Sequence, residues 1–162
     1  MKKHILILLG FVLTFSSMAQ QKKIEQSDVP TIIKYSFKQK YSKVAAKNWK
    51  KENETYIGKF KWNNKKYEAI FDENGKWVKT FIILKWKEVP EVVKVAYKKS
   101  TYIGWKIDNI MQVDSSSETI VYIIELDNQF NFPLTEYSSI FYETHDVYIS
   151  ESGQIIKVQR KG

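Results

Sequence analysis

Two stretches of this chain can be laid over one another. "VPTIIKYSFKQKY" begins at Val29 and "VPEVVKVAYKKST" at Val89, an offset of 60 residues. The Val, the Pro and two Lys are identical, and most other pairs are conservative exchanges. The offset is 61 where "YSKVAAKNW" from Tyr41 faces "YIGWKIDNI" from Tyr102, and 78 where "FDENGKWVK" from Phe71 faces "ISESGQIIK" from Ile149. Self-similarity of this kind constrains the fold before any local reading, because each copy has to be one supersecondary unit. The rise in offset from 61 to 78 places 17 additional residues in the second copy, at about Asp127 to Thr144.

Each copy opens with a helical pattern. Val29, Ile33, Phe37 and Tyr41 recur every four residues with Ile32 beside them, and Val89, Val93 and Tyr97 do the same with Val92 and Ala96 adjacent. That is an amphipathic stripe, with Lys34 and Lys38, and Lys94 and Lys98, on the outer side. Pro30 and Pro90 fall in the first turn, where a missing N–H costs nothing. Ser27 and Asp28 are the expected caps of the first helix.

After each helix the period changes to two. Tyr56, Phe60 and Trp62 oppose Lys59 and Lys61, and Tyr67, Ala69 and Phe71 oppose Lys66, Glu68 and Ile70. Asn63-Asn64 joins these strands, a pair that tolerates the positive φ of a tight hairpin. Asn74-Gly75 is the next turn, followed by a strand from Trp77 to Leu84. The second copy repeats this with strands over Lys106 to Asp114, Thr119 to Leu126 and Gln154 to Gln159. The expected fold is α+β. Two tandem repeats, 29–84 and 85–162, each a helix and about four antiparallel strands, form a shared antiparallel sheet with both helices on one face. The "DENG" and "SESG" stretches are then the same hairpin turn. A calcium loop would need alternating oxygen ligands extending to a later glutamate, which "DENGKWVKT" does not offer.

Residues 1–19 stand apart from the repeats. Lys2 and Lys3 precede an apolar run from Ile5 to Phe15, and Ser17 and Ala19 sit at the −3 and −1 places of a cleavage site. This is a secretory signal peptide by pattern, too short to span a bilayer, with no transmembrane segment expected after cleavage. Residues 20–28 form an N-terminal segment, and the expected location is periplasmic or secreted. Loss of Lys2 and Lys3 leaves 24 basic against 18 acidic side chains, a net charge of +6. No cysteine is present, which excludes disulfides, thiol nucleophiles and a cysteine-linked lipid anchor.

The residues assemble no catalytic set. After cleavage His145 is the sole histidine, without metal-ligand spacing around it, and no serine sits in a nucleophile elbow. No phosphate-cradling glycine loop is present, and the carboxylates are scattered. The expectation is a protein that is not an enzyme and uses no metal or cofactor. Nucleic acid is not an expected partner outside the cytoplasm.

Val29-Pro30, Lys34, Phe37, Trp49 to Glu52, Tyr67 to Lys76, Val89-Pro90, Lys94, Tyr97 and Gly153 together resemble the PepSY-like, or β-lactamase-inhibitor-protein-like (BLIP-like), periplasmic proteins of Bacteroidetes. The resemblance implies helices on one face of a tandem antiparallel sheet and a concave opposite face that grips a partner. In the namesake inhibitor, that face and a protruding hairpin block an enzyme's active site. The present chain departs from it in lacking cysteines and in lengthening the second hairpin, so β-lactamase inhibition is not carried over.

The expected function is an exported, non-catalytic module that docks or inhibits an unidentified protein. The alternative is binding of anionic or carbohydrate envelope polymers through lysine and aromatic surfaces. Alternation puts Ile57, Lys59, Lys61, Lys66, Glu68 and Ile70 on the open face, with Asn63-Asn64 at its edge between Trp62 and Tyr67. The inserted segment adds Phe130, Phe132, Tyr137, Phe141 and Tyr142, rings that either form an interface hot spot or cover the end of the core.

Overall fold

The computed structural model describes residues 22–116, 119–128 and 143–161. The expected signal peptide, residues 1–19, and the inserted Phe130, Phe132, Tyr137, Phe141 and Tyr142 lie outside them. Among the described residues nine antiparallel strands form one sheet in simple sequence order: β1 (Lys22–Ile24), β2 (Asn48–Glu52), β3 (Thr55–Trp62), β4 (Lys65–Asp72), β5 (Trp77–Ile83), β6 (Lys106–Ser115), β7 (Ile120–Asp127), β8 (Thr144–Ser150) and β9 (Ile155–Lys161). Helix α1 (Thr31–Lys40) connects β1 to β2, and α2 (Glu91–Lys98) connects β5 to β6.

Both helices cover the same face. Residues directly opposite in an antiparallel sheet share a face, and Tyr67, Ile82, Gln112 and Tyr122 are successive partners across β4 to β7. On this face Ile33 and Phe37 of α1 pack with Trp49, Phe60, Ala69 and Phe71. Val93 and Tyr97 of α2 pack with Ile110, Ile124, Val147 and Ile149. Tyr67 touches both clusters and joins them into one core. Phe37 is the hub of the first cluster, with the rings of Tyr41, Trp49, Phe60 and Phe71 between 5.1 and 6.2 Å away.

The two glycine stretches are turns of one construction. Gly75 has φ +82° and Gly153 φ +84°, conformations that favour glycine. Asp72 Oδ1 accepts from the N–H groups of Asn74 and Lys76, at 3.0 and 2.8 Å. Ser150 Oγ takes the second of these roles, accepting the Gln154 N–H at 3.0 Å. The Asp72 oxygen is thus consumed inside its own turn. Asn63 and Asn64, with φ +48° and +61°, close the β3–β4 hairpin as their type allows.

Three local expectations need correction. Ser27 and Asp28 do not cap α1: Gln26–Asp28 is a 3₁₀ turn, and Pro30 occupies the cap position without a side-chain bond. A turn preceding an X-Pro pair keeps Val29 extended, which separates those polar side chains from the helix. Both prolines accordingly stand just before the helix and not inside its first turn. Strands β1 and β2 were not separately expected; each pairs in register, Ile24 with Trp49 and Trp49 with Gly58. Among the described residues no helix is long and apolar enough to cross a membrane.

Candidate binding face

The face opposite the helices is built by the alternate residues of β3 to β8. Lys59 lies across from Glu68, Glu68 from Phe81, Phe81 from Val113 and Val113 from Val121. A second row runs from Lys61 through Lys66, Ile83, Met111, Ile123 and Tyr148 to Lys157. Its centre is apolar and its ends are cationic. The middle of the face holds a shallow depression of about 340 Å³ lined by Phe81, Ile83, Met111, Ile123 and Tyr148, with Glu68, Asn109, Glu125 and Asp146 at its rim. A second depression, about 310 Å³, adjoins it at Glu68 and Ile83 and is rimmed by Lys47, Lys61 and Lys66.

The charges fall into two halves. On β3 and β4, Lys59 is ion-paired with Glu68. Lys61 and Lys66 stand directly opposite one another, and among the described residues no carboxylate reaches either of them or Lys47. Like charges opposite one another on a sheet are mildly unfavourable. On the other half, Lys161 Nζ bridges Glu125 Oε1 at 2.7 Å and Asp146 Oδ1 at 2.8 Å. Burial opposes the charge on Lys161, yet its hydrogen bonds to Asp146 and Glu125 outweigh that and raise its pKa. Burial, reinforced by the Asp146 carboxylate, likewise pushes the Tyr148 hydroxyl up.

The residues expected from the sequence are placed unequally. Lys59, Lys61, Lys66, Glu68 and Ile70 share the open face. Ile57 points the same way but is only 3% exposed, flanked by Lys50 and Ile70, so it forms floor and offers no contact surface. Tyr67 lies on the helix side, its ring stacked on Phe60 at 5.0 Å, and reaches the second depression only from below. Trp62, 41% exposed, ends β3 beside the Asn63-Asn64 turn. His145 belongs to the helix side, between the rings of Tyr102 and Trp105 at 5.4 and 5.1 Å. The base of the inserted segment is closed by Asn128, whose N–H reaches the Glu143 carbonyl and whose Oδ1 accepts the Glu143 N–H at 2.8 Å.

Sequence reasoning missed Phe81, Ile83, Met111, Val113, Ile123 and Tyr148. A signal was present: "TFIIL" and "IVYIIEL" are apolar at consecutive positions, the mark of a strand with apolar side chains on both faces. Among the described residues no three His, Cys, Asp or Glu side chains are grouped to hold a metal ion.

Neither a family model nor a curated protein matches the sequence. Solved structures do match. A DUF2874 family protein from Bacteroides uniformis is similar at TM-score 0.69 and 19% identity, over 82% of this chain and 89% of that one. The chain has the DUF2874 fold. A BLIP-like protein from Bacteroides fragilis shares that fold at TM-score 0.68 and 20% identity, over 82% and 88% of the two chains. So does a protein from Bacteroides eggerthii named as periplasmic, at 0.68 and 16%, with the same coverage. The DUF2874 and BLIP-like neighbours are the kind of protein that the sequence resembles.

Proposed function

We propose that this protein is an exported, non-catalytic binding module that docks a protein partner on its open sheet face. The observation that carries the reading is the apolar row Ile83–Met111–Ile123–Tyr148 on the face away from both helices, bounded by lysines at both ends, with Ile123, 7% exposed, as its floor and Ile83, Met111 and Tyr148 half-buried around it. Contiguous apolar surface rimmed by polar groups is typical of protein interaction sites. The cationic half at Lys47, Lys61 and Lys66 fits a partner surface carrying carboxylates. The signal-like residues 1–19 supply the export. The BLIP-like and periplasmic names of the neighbours fit a partner met outside the cytoplasm. We read the chain as two tandem units, 29–84 and 85–162, each a helix with the four strands that follow it, together forming the face. Enzyme inhibition is one form such docking takes.

A second reading rests on the same lysines: among the described residues none of them is ion-paired, Glu68 of the same depression being engaged by Lys59, and they suit an anionic envelope polymer. Affinity capture with the exported protein, washed at low and at high salt, separates the two. Attraction between exposed charges is screened within about 8 Å at physiological salt, whereas apolar contact is not. One protein retained at high salt supports docking. Polymer retained only at low salt overturns it in favour of the second reading.

A further inference from the structure

Among the described residues the sheet has two edges, and they are not alike. β1 ends one side with three residues, Lys22–Ile24, too short to template another strand. β9 ends the other with seven, all exposed, including Ile155, Ile156 and Val158. It pairs with β8 alone among the described residues.

The equivalent place inside the molecule shows what this edge accommodates. β5 and β9 are both seven residues long and begin two residues after the turn glycines, Gly75 and Gly153. On β5, Lys79–Ile83 carry β6 as an antiparallel neighbour. Thr80, five residues after its glycine, is 3% exposed; Val158, five after the other, is 38% exposed. The apolar residue is left in the open where its polar counterpart is covered.

We propose that a second copy of this chain pairs with β9, antiparallel, about a two-fold axis at Val158. The charges select this register. It sets Val158 against Val158 of the second copy, Lys157 against Gln159, Ile156 against Arg160 and Ile155 against Lys161. No two cations are directly opposed. Moving the axis by one residue to Lys157 or Gln159 opposes lysine to lysine, an unfavourable pairing. Two of the edge cations are already turned inward, Lys161 onto Glu125 and Asp146 and Arg160 onto Glu143 at 3.1 Å. The contact is isologous and closes on itself, so it yields a dimer and no fibre. The two open faces then lie on one continuous sheet, which makes the dimer bivalent for any partner of that face.

Absence of native cysteine makes the test direct. Residues opposed across antiparallel strands lie roughly 4.5–5.5 Å apart between Cα atoms, within the span of a disulfide. The exported protein carrying V158C is expected to form a disulfide-linked dimer in air at least about tenfold faster than I156C, whose opposite residue is Arg160. Sedimentation of the unmodified protein is expected to show a concentration-dependent dimer, and V158K to abolish it while leaving the circular dichroism unchanged. A protein monomeric at every concentration, or equal crosslinking of V158C and I156C, overturns the proposal. A dimer that persists in V158K overturns it as well.

Discussion

Gly153 lies against the second helix: a Cβ at that position would come within 2.6 Å of Val92 Cγ2 and 3.0 Å of the Val92 carbonyl oxygen. Gly75 stands in the same relation to the first helix, its Cβ position 2.9 Å from both Ile32 Cγ1 and Ser36 Oγ. The Gly75 turn is thus pressed onto α1 and the Gly153 turn onto α2.

Substitution of these glycines therefore costs more than a positive φ alone. Gly104 supplies the control, with φ +92° and nothing within 4 Å of its Cβ position. Gly104→Ala is expected to cost the conformational penalty of about 1–2 kcal/mol. Gly153→Ala should exceed it by at least about 1 kcal/mol, because backbone and not only a side-chain tip lies in the way. Gly75→Ala should fall between them, since the Ile32 and Ser36 side chains can shift. Urea unfolding of the three variants ranks them.

Thr80 ties the end of α1 to β5. Its Oγ1 lies 2.5 Å from the Tyr41 hydroxyl and accepts the Trp77 Nε1–H at 2.9 Å. Thr80→Val keeps the shape and removes both bonds, leaving a part-buried donor unmet. The expected loss is about 1–3 kcal/mol. A double-mutant cycle with Tyr41→Phe should show non-additivity; strictly additive losses would mean that the two hydroxyls do not interact.

Stability should fall in alkali. Burial raises the hydroxyl pKa values of Tyr41, Tyr67, Tyr97 and Tyr122 above 10.0. Between the unfolded and folded values the unfolded chain holds fewer protons, so unfolding becomes easier as pH rises. The contribution is complete below pH 10 and is lost as pH passes through the folded values. Lys161, also raised, acts in the same direction above 10.5. The urea midpoint should be flat across neutral pH and drop beyond pH 10, together with late tyrosinate absorbance. A midpoint that holds beyond pH 11 would contradict this.

Much of this arrangement was legible because it rests on local patterns. The stripes of Ile33 and Phe37, and of Val93 and Tyr97, gave both helices, and Gly75 and Gly153 gave both turns. The open face was legible only in its first half. Lys59, Lys61 and Glu68 alternate against aromatics, whereas Ile83 and Ile123 sit in strands apolar on both sides, where periodicity cannot tell core from surface. Partners far apart in sequence were not legible at all. Buried Asp127 meets Lys106 at 3.0 Å across 21 residues, and nothing local announces it. The hydrogen bond to Asp108, and then that to Asp127, raise the Lys106 pKa above its usual value.

Under the proposed function, the apolar row of the open face binds a protein. The direct measurement compares partner binding by the unmodified protein, by Met111→Ala/Tyr148→Ala and by Tyr35→Ala, whose ring is 60% exposed on the opposite, helical side. All three should remain folded by circular dichroism at the assay temperature, the open-face pair melting lower because it truncates two half-buried side chains. The open-face pair should lose about 2 kcal/mol or more, roughly thirtyfold in affinity, as hot-spot truncations do, and Tyr35→Ala should bind as before. Full binding by the open-face variant, with loss in Tyr35→Ala, would place the partner on the helices and contradict the account.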